Sequence, residues 1–156
     1  MAIHVVLYQP EIPSNTANIA RTCAATDTAL HLIRPLGFST DEKMIKQAGF
    51  DHWQFANITY YDSLDEFFSK NQGEFYYIET FGEKAHSSFD FSDVSKEHYF
   101  IFGKETTGLP KDLLEKNKDH FLRIPMNDHV RSLNLSNTAA ILVYEALRQQ
   151  GYPNLK

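Results

Sequence analysis

Ile3-His-Val-Val-Leu-Tyr8-Gln-Pro10-Glu-Ile-Pro13-Ser-Asn15-Thr-Ala-Asn18-Ile-Ala-Arg21 decides how the rest of the chain is read. Ile3–Tyr8 is a short β-branched and aromatic run, which predicts a strand. Pro10 and Pro13 end it, and Ser14 or Asn15 then stands where an N-cap would open an Ala-rich helix over Thr16–Thr26. This strand, loop and helix repeat along the chain. Further strands are expected at Leu30–Arg34, Ile58–Tyr61, Phe75–Glu79, His98–Phe102 and Phe121–Ile124. Helices are expected at Asp41–Gln47, from a Ser63/Glu66 capping box to Asn71, at Lys111–Lys118 and at Ser136–Gln149. The last carries Ala139, Ala140, Val143, Ala146 and Leu147 on one face and is stopped by Gly151 and Pro153. Alternation of this kind implies an α/β fold with a mostly parallel sheet.

The chain of 156 residues suits a single domain over 1–156 and a sizeable core. No apolar run reaches the roughly 20 residues of a membrane span, and the first ten residues do not read as a secretion signal. A lone Cys23 leaves no intramolecular disulfide and fits a reducing, cytoplasmic setting as a small core residue. The net charge of −5 argues at first sight against nucleic acid, but it is uneven: residues 1–39 are neutral, 40–100 carry −7 and 101–156 carry +2. If the two ends converge on a site, that site escapes the acidity of the middle third.

In a parallel sheet, ligands bind beyond the carboxyl ends of the strands, so chemistry is sought in the loops after Tyr8, Glu79, Phe102 and Ile124. Several familiar chemistries are excluded there. No two of the seven glycines are separated by a single residue, so the dinucleotide G-x-G-x-x-G fingerprint is absent. Gly103 and Gly108 have the glycine spacing of a phosphate loop, but Leu109-Pro110 replaces the Lys-Ser/Thr that would hold phosphate and magnesium. The histidines show no HExxH, and no metal is expected. No G-x-S-x-G elbow exists.

Three clusters remain. Asn15, Asn18 and Arg21 recur at helical spacing, which sets two amides and a guanidinium on one face; a cap followed by a solvated Arg would look the same. Ile101-Phe-Gly103-Lys-Glu105-Thr-Thr-Gly108-Leu-Pro110 is a strand entering a glycine-bracketed loop, either a turn or a place where backbone amides approach a ligand. Ile124-Pro-Met126 and Arg131-Ser132-Leu133-Asn134-Leu-Ser136-Asn137 form a polar loop before an apolar helix, with more amides and hydroxyls than capping requires.

Together these clusters resemble the SPOUT superfamily of RNA methyltransferases, in its 2′-O-ribose branch. Within it, the opening V-L-Y-Q-P-E-I-P, the stretch at 30–38 and the close at 143–152 are similar to the tRNA (cytidine/uridine-34) 2′-O-methyltransferases. Lys104 departs from the small residue or Pro usual in that loop.

The resemblance implies a deep trefoil knot within about 78–150, although threaded chains are otherwise almost absent among proteins. It implies S-adenosyl-L-methionine as cofactor, lined by Ile78, Thr80, Gly103, Ile124, Ser132 and Leu133, and a homodimer in which Arg21 of one subunit completes the other's site. Small residues on the first and last helices, Ala17, Ala20, Ala24, Ala139 and Ala140, suit such an interface and equally an ordinary core.

Methyl transfer to a ribose hydroxyl needs placement of the oxygen and stabilisation of developing negative charge. Because a guanidinium stays protonated, Arg21 suits an electrostatic role better than that of a base, with Asn15 and Asn18 positioning it. Glu105 and Asn134 are expected to hold loops by hydrogen bonds, and Tyr144 to reach the substrate. The implied partner is a tRNA anticodon loop, whose bases are already partly unstacked, with leucine tRNAs implied by the resemblance alone. Phosphate contacts are expected from Arg34, Lys43, Lys46, Lys104, Lys111, Arg123, Arg131 and Arg148, and base stacking from His52, Trp53 or Tyr144. Two alternatives are a knotted RNA-binding or ribosome-assembly factor without turnover and a 2′-O-methyltransferase acting on ribosomal RNA.

Overall fold

Apolar runs with β-branched and aromatic residues become strands, and parallel pairing lets helices cover both faces. A computed structural model of the protein describes residues 2–40 and 52–156. Seven strands appear there: β1 (Ile3–Tyr8), β2 (Ala29–Ile33), β3 (Asn57–Tyr61), β4 (Glu74–Ile78), β5 (Lys84–Ala85), β6 (His98–Phe102) and β7 (Phe121–Arg123). They form one sheet in the order β3-β2-β1-β6-β4-β7-β5, and every strand pair is parallel. The helices are α1 (Pro13–Thr26), α2 (Leu64–Lys70), α3 (Lys111–Lys116) and α4 (Leu135–Gln150). The helix expected at Asp41–Gln47 lies outside the described residues.

Strand alternation sends successive side chains to opposite faces. Ile3, Val5 and Leu7 of β1, with Leu30 and Leu32 of β2, pack with Ile19, Ala20 and Cys23 of α1 and with Leu142, Val143 and Leu147 of α4. Burying each of those large aliphatic side chains contributes about 1.5–3 kcal/mol. On the other face Val6, Ile33, Tyr77 and Ile101 pack with Phe67 of α2, flanked by Leu113 and Leu114 of α3. The inward stripe of α4 is Ala139, Leu142, Val143, Ala146 and Leu147, so Leu142 takes the place expected for Ala140, which is only partly buried. Gly151, at φ 77°, ends that helix in the left-handed conformation.

Two corrections concern helix ends. α1 begins at Pro13 with Ile12 at its N-cap and no side-chain cap of its own, so neither Ser14 nor Asn15 caps it. Proline suits a first helical position because it lacks an N–H that would be left without a partner there. The Ser63 hydroxyl does accept from the Glu66 N–H at 3.1 Å, but the Glu66 carboxylate reaches back to the Asp62 N–H at 3.3 Å, one residue earlier than a standard box.

A polar chain crosses the second face. Glu97 meets His4 Nε2 at 2.8 Å, His4 Nδ1 meets His31 Nε2 at 2.9 Å, and His31 Nδ1 meets the Tyr61 hydroxyl at 2.9 Å. The Asn71 amide then donates to that hydroxyl at 3.2 Å and to the Phe67 carbonyl at 2.8 Å. The histidines, which show no pairing in sequence, thus pair across adjacent strands.

Candidate active site

Because every strand pair is parallel, the carboxyl ends of β1, β4, β6 and β7 lie along one edge of the sheet, the edge at which ligands bind in such folds. A cavity of about 570 Å³ opens there, a volume typical of small-molecule sites. Its wall draws Ile12 and Asn15 from beyond β1, Ile78, Glu79 and Thr80 from the end of β4, Phe102–Gly108 from β6, and Ile124 and Met126 from β7. Arg131, Ser132, Leu133, Asn134, Leu135 and Thr138 complete it from the approach to α4. All six residues expected to hold a cofactor therefore share one cavity, and Asn15 joins them. Arg21 and Tyr144 do not line it: both are exposed, on α1 and α4.

The glycine loop is closed on itself. Lys104 N–H donates to the Gly108 carbonyl at 3.2 Å, and Gly108 N–H donates to the Lys104 carbonyl at 3.0 Å. Gly108 has φ 73°, a left-handed conformation that glycine adopts without a steric penalty. A Cβ on Gly103 would lie 2.2 Å from the Gly108 carbonyl carbon. The loop's own backbone therefore fills the space that a side chain at Gly103 would take.

Two carboxylates clasp this loop to the start of α1. Glu105 accepts from the Ile12 N–H at 2.6 Å and from the Glu11 N–H at 3.1 Å. Glu11 in return accepts from the Thr106 N–H at 3.1 Å and hydroxyl at 2.8 Å, and those bonds hold its carboxyl below the usual carboxylate range. Glu105 thus does for α1 what a local cap would do, and places an anion where the helix dipole favours one.

Asn134 organises the other side. Its side-chain oxygen accepts from the Ser136 N–H at 2.9 Å and the Ser136 hydroxyl at 2.6 Å, capping α4. Its amide nitrogen donates to Asn15 Oδ1 at 3.0 Å. Asn15 is buried and tied to α4, while Asn18 and Arg21 are exposed, so the three do not act as one face.

Glu79 was not singled out by sequence, since a lone glutamate after a strand matches no motif. Its Oε1 accepts from the Leu109 N–H at 2.9 Å. Burial pushes its carboxyl above the ordinary value, and the Leu109 bond opposes that rise.

Of the cations expected to meet RNA phosphate, Lys104 and Arg131 line the cavity. Arg34 pairs with Asp62 at 3.2 Å and lies over the Tyr60 ring, while Arg148 pairs with Glu145 at 3.0 Å. Lys43 and Lys46 lie outside the described residues. Cys23 is buried, and burial pushes its thiol up to about 12, which makes it a core residue as expected.

Residues 2–144 match the model of the SpoU rRNA Methylase family. A Geobacillus stearothermophilus protein provisionally named as a tRNA (cytidine(34)-2′-O)-methyltransferase is 71% identical over 99% of both chains. The tRNA (cytidine(34)-2′-O)-methyltransferase of Methylovorus glucosotrophus is 43% identical over 95% of this chain and 96% of its own. A solved structure described as giving insights into the 2-OH methylation of C/U34 on tRNA superposes with a TM-score of 0.86 at 39% identity, covering 96% of both chains. With the match running through nearly the whole sequence and the cavity built from the loops that carry its motifs, the chain belongs to the SpoU rRNA Methylase family.

Proposed function

We propose that this protein transfers a methyl group from S-adenosylmethionine to the ribose 2′-hydroxyl of the wobble pyrimidine, position 34, in the anticodon loop of a subset of tRNAs, with leucine tRNAs first among them. One observation carries the reading: a single cavity at the carboxyl edge gathers the loops after β1, β4, β6 and β7 in a chain whose full-length relatives bear that name.

The residues present fit the cofactor. Ile78, Phe102, Ile124 and Leu133 supply apolar wall for a flat base, and the loop from Gly103 to Gly108 offers backbone groups to a ribose or an amino-acid moiety. Ser132 and Thr80 add hydroxyls, and Glu79 adds negative charge. S-adenosylmethionine, when bound, supplies the methyl group on a sulfonium. The chain's part is placement and charge. Arg21 orients the 2′-hydroxyl and stabilises the alkoxide character that develops on it. Asn15 holds the start of α4 through Asn134, and Glu105 holds the start of α1, so both helices present fixed ends to the cavity. Lys104 and Arg131 at the wall meet substrate phosphate.

Arg21 and Tyr144 lie away from the cavity of their own chain, which supports a homodimer in which the partner copy brings them to it. The exposed Ile141 and Tyr144 on α4, beside partly buried Ala140 and with Ala17 and Ala24 on α1, give such a contact apolar surface. The trefoil knot within about 78–150 belongs to the same reading. Its support is that β4 is flanked by β6 and β7, both later in the chain, and that the segments after those two strands share the cavity. The proposal further treats 1–156 as one cytoplasmic domain.

Transfer of labelled methyl from S-adenosylmethionine to unmethylated tRNA, followed by mapping of the modified ribose, tests the function. Label at nucleotide 34 is expected. Label outside the anticodon loop, or on ribosomal RNA alone, decides against it.

A further inference from the structure

Glu79 is the first residue beyond β4, and its backbone is pinned on both sides. Its N–H donates to the Leu122 carbonyl at 3.2 Å, and its carbonyl accepts from the Gly82 N–H at 3.2 Å. The side chain is thereby aimed at the glycine loop, where Oε1 accepts from Leu109 and would lie 2.8 Å from a Cβ on Gly108. An ionised carboxylate can accept about four hydrogen bonds. Among the described residues this one receives a single N–H, and no cation pairs with it. Lys104 and Arg131 share the cavity without forming an ion pair to it, and Glu105 is engaged with the amides of Glu11 and Ile12. A partly buried charge left so is costly, and a ligand charge of opposite sign offsets that cost.

We propose that Glu79 is a specificity-determining residue that makes the cavity prefer a cationic ligand over its uncharged counterpart, S-adenosylmethionine over S-adenosylhomocysteine. The two differ by one methyl group and the positive charge on sulfur, so the preference weakens the hold on the spent product. This inference rests on the cofactor reading above and adds to it the residue that senses the charge.

The Leu109 N–H offers a purely structural explanation of Glu79, and Glu79→Gln separates the two, because the amide keeps an oxygen for Leu109 and loses only the charge. Isothermal titration calorimetry with S-adenosylmethionine and S-adenosylhomocysteine, on wild type, Glu79→Gln and Glu79→Asp, reads the ratio of their affinities without turnover. In Glu79→Gln the affinity for S-adenosylmethionine is expected to fall about tenfold, the scale of one partly screened charge pair, with less than about a twofold change for S-adenosylhomocysteine. Glu79→Asp, which keeps the charge, is expected to keep most of the ratio. Equal weakening of both ligands in Glu79→Gln, or an unaltered ratio, overturns the inference while leaving the cofactor reading in place. Failure of either ligand to bind wild type overturns both.

Discussion

Two arrangements of polar side chains lie against this sheet, and they differ in what completes them. On one face, Glu97, His4, His31, Tyr61 and Asn71 form a chain in which each group finds its partner within the protein. The acceptor-only carboxylate of Glu97 takes its hydrogen bond from the His4 ring, and the His31 ring stands between His4 and the Tyr61 hydroxyl. Burial, with His4 beside it, lowers His31 to about 3 and keeps it uncharged. At the carboxyl edge, by contrast, Glu79 has a single N–H partner and faces a cavity. Polar groups that pair among themselves rigidify a fold, whereas a half-buried carboxylate at a cavity wall keeps acceptor capacity for what enters the cavity.

The largest expected effect breaks the cavity and spares the polar chain. Gly103→Val forces a branched side chain against the Gly108 backbone, so the loop cannot close and cofactor binding is expected to be lost in calorimetry. The distant His4 and His31 rings should be untouched, and a folded variant that still binds tightly would show that the loop does not form the pocket.

Next comes Arg21→Ala, which touches neither set. It is expected to lower methyl transfer at least about a hundredfold, the scale of one charge-stabilising donor, with cofactor affinity unchanged. Near-normal turnover of the purified variant removes Arg21 from the mechanism.

His31→Leu reverses the pattern. It removes the ring nitrogens that meet the Tyr61 hydroxyl and His4 Nδ1, so denaturant unfolding should show a loss of about 2 kcal/mol while the cavity still binds its ligand. The same residue gives the wild type a pH dependence. The unfolded chain binds the His31 proton near pH 6.5 and the folded chain only near 3, so this group's contribution to stability falls as pH drops through that window. The slope is at most about 1.4 kcal/mol per pH unit. Stability curves of His31→Leu that keep the wild-type slope would assign it to another group.

Glu105→Gln is the mildest change. It removes the charge at the start of α1 and keeps an acceptor, at an expected cost of about 0.5–1 kcal/mol. A larger loss of cofactor affinity than of stability would show that the clasp serves the loop more than the helix.

Most strands were legible because β-branched and aromatic runs between turn residues have few other uses, as at Ile3–Tyr8 and His98–Phe102. β5 was not, since two residues, Lys84 and Ala85, carry no pattern. The cap of α1 was misread because its acceptor, Glu105, lies 93 residues from Ile12, and local spacing holds no trace of it. The loops lining the cavity were legible from their unusual composition and family likeness. Glu79 was not, because its meaning comes from the lack of a cationic partner among the described residues, which only three dimensions display.

The pairing of Ile3 with His98 and of Leu7 with Phe102 has a consequence for synthesis. β1 leaves the ribosome first, yet its central neighbour β6 follows only after some ninety further residues, roughly 5–20 s at ordinary elongation rates. Until then β1 can pair only with β2, with its other edge bare, and the sheet is assembled from contacts distant in sequence, which makes such folds slow. The cavity waits longer still, because its wall includes Thr138 in the first turn of α4. A nascent chain is therefore without its complete binding site until the last helix begins to emerge.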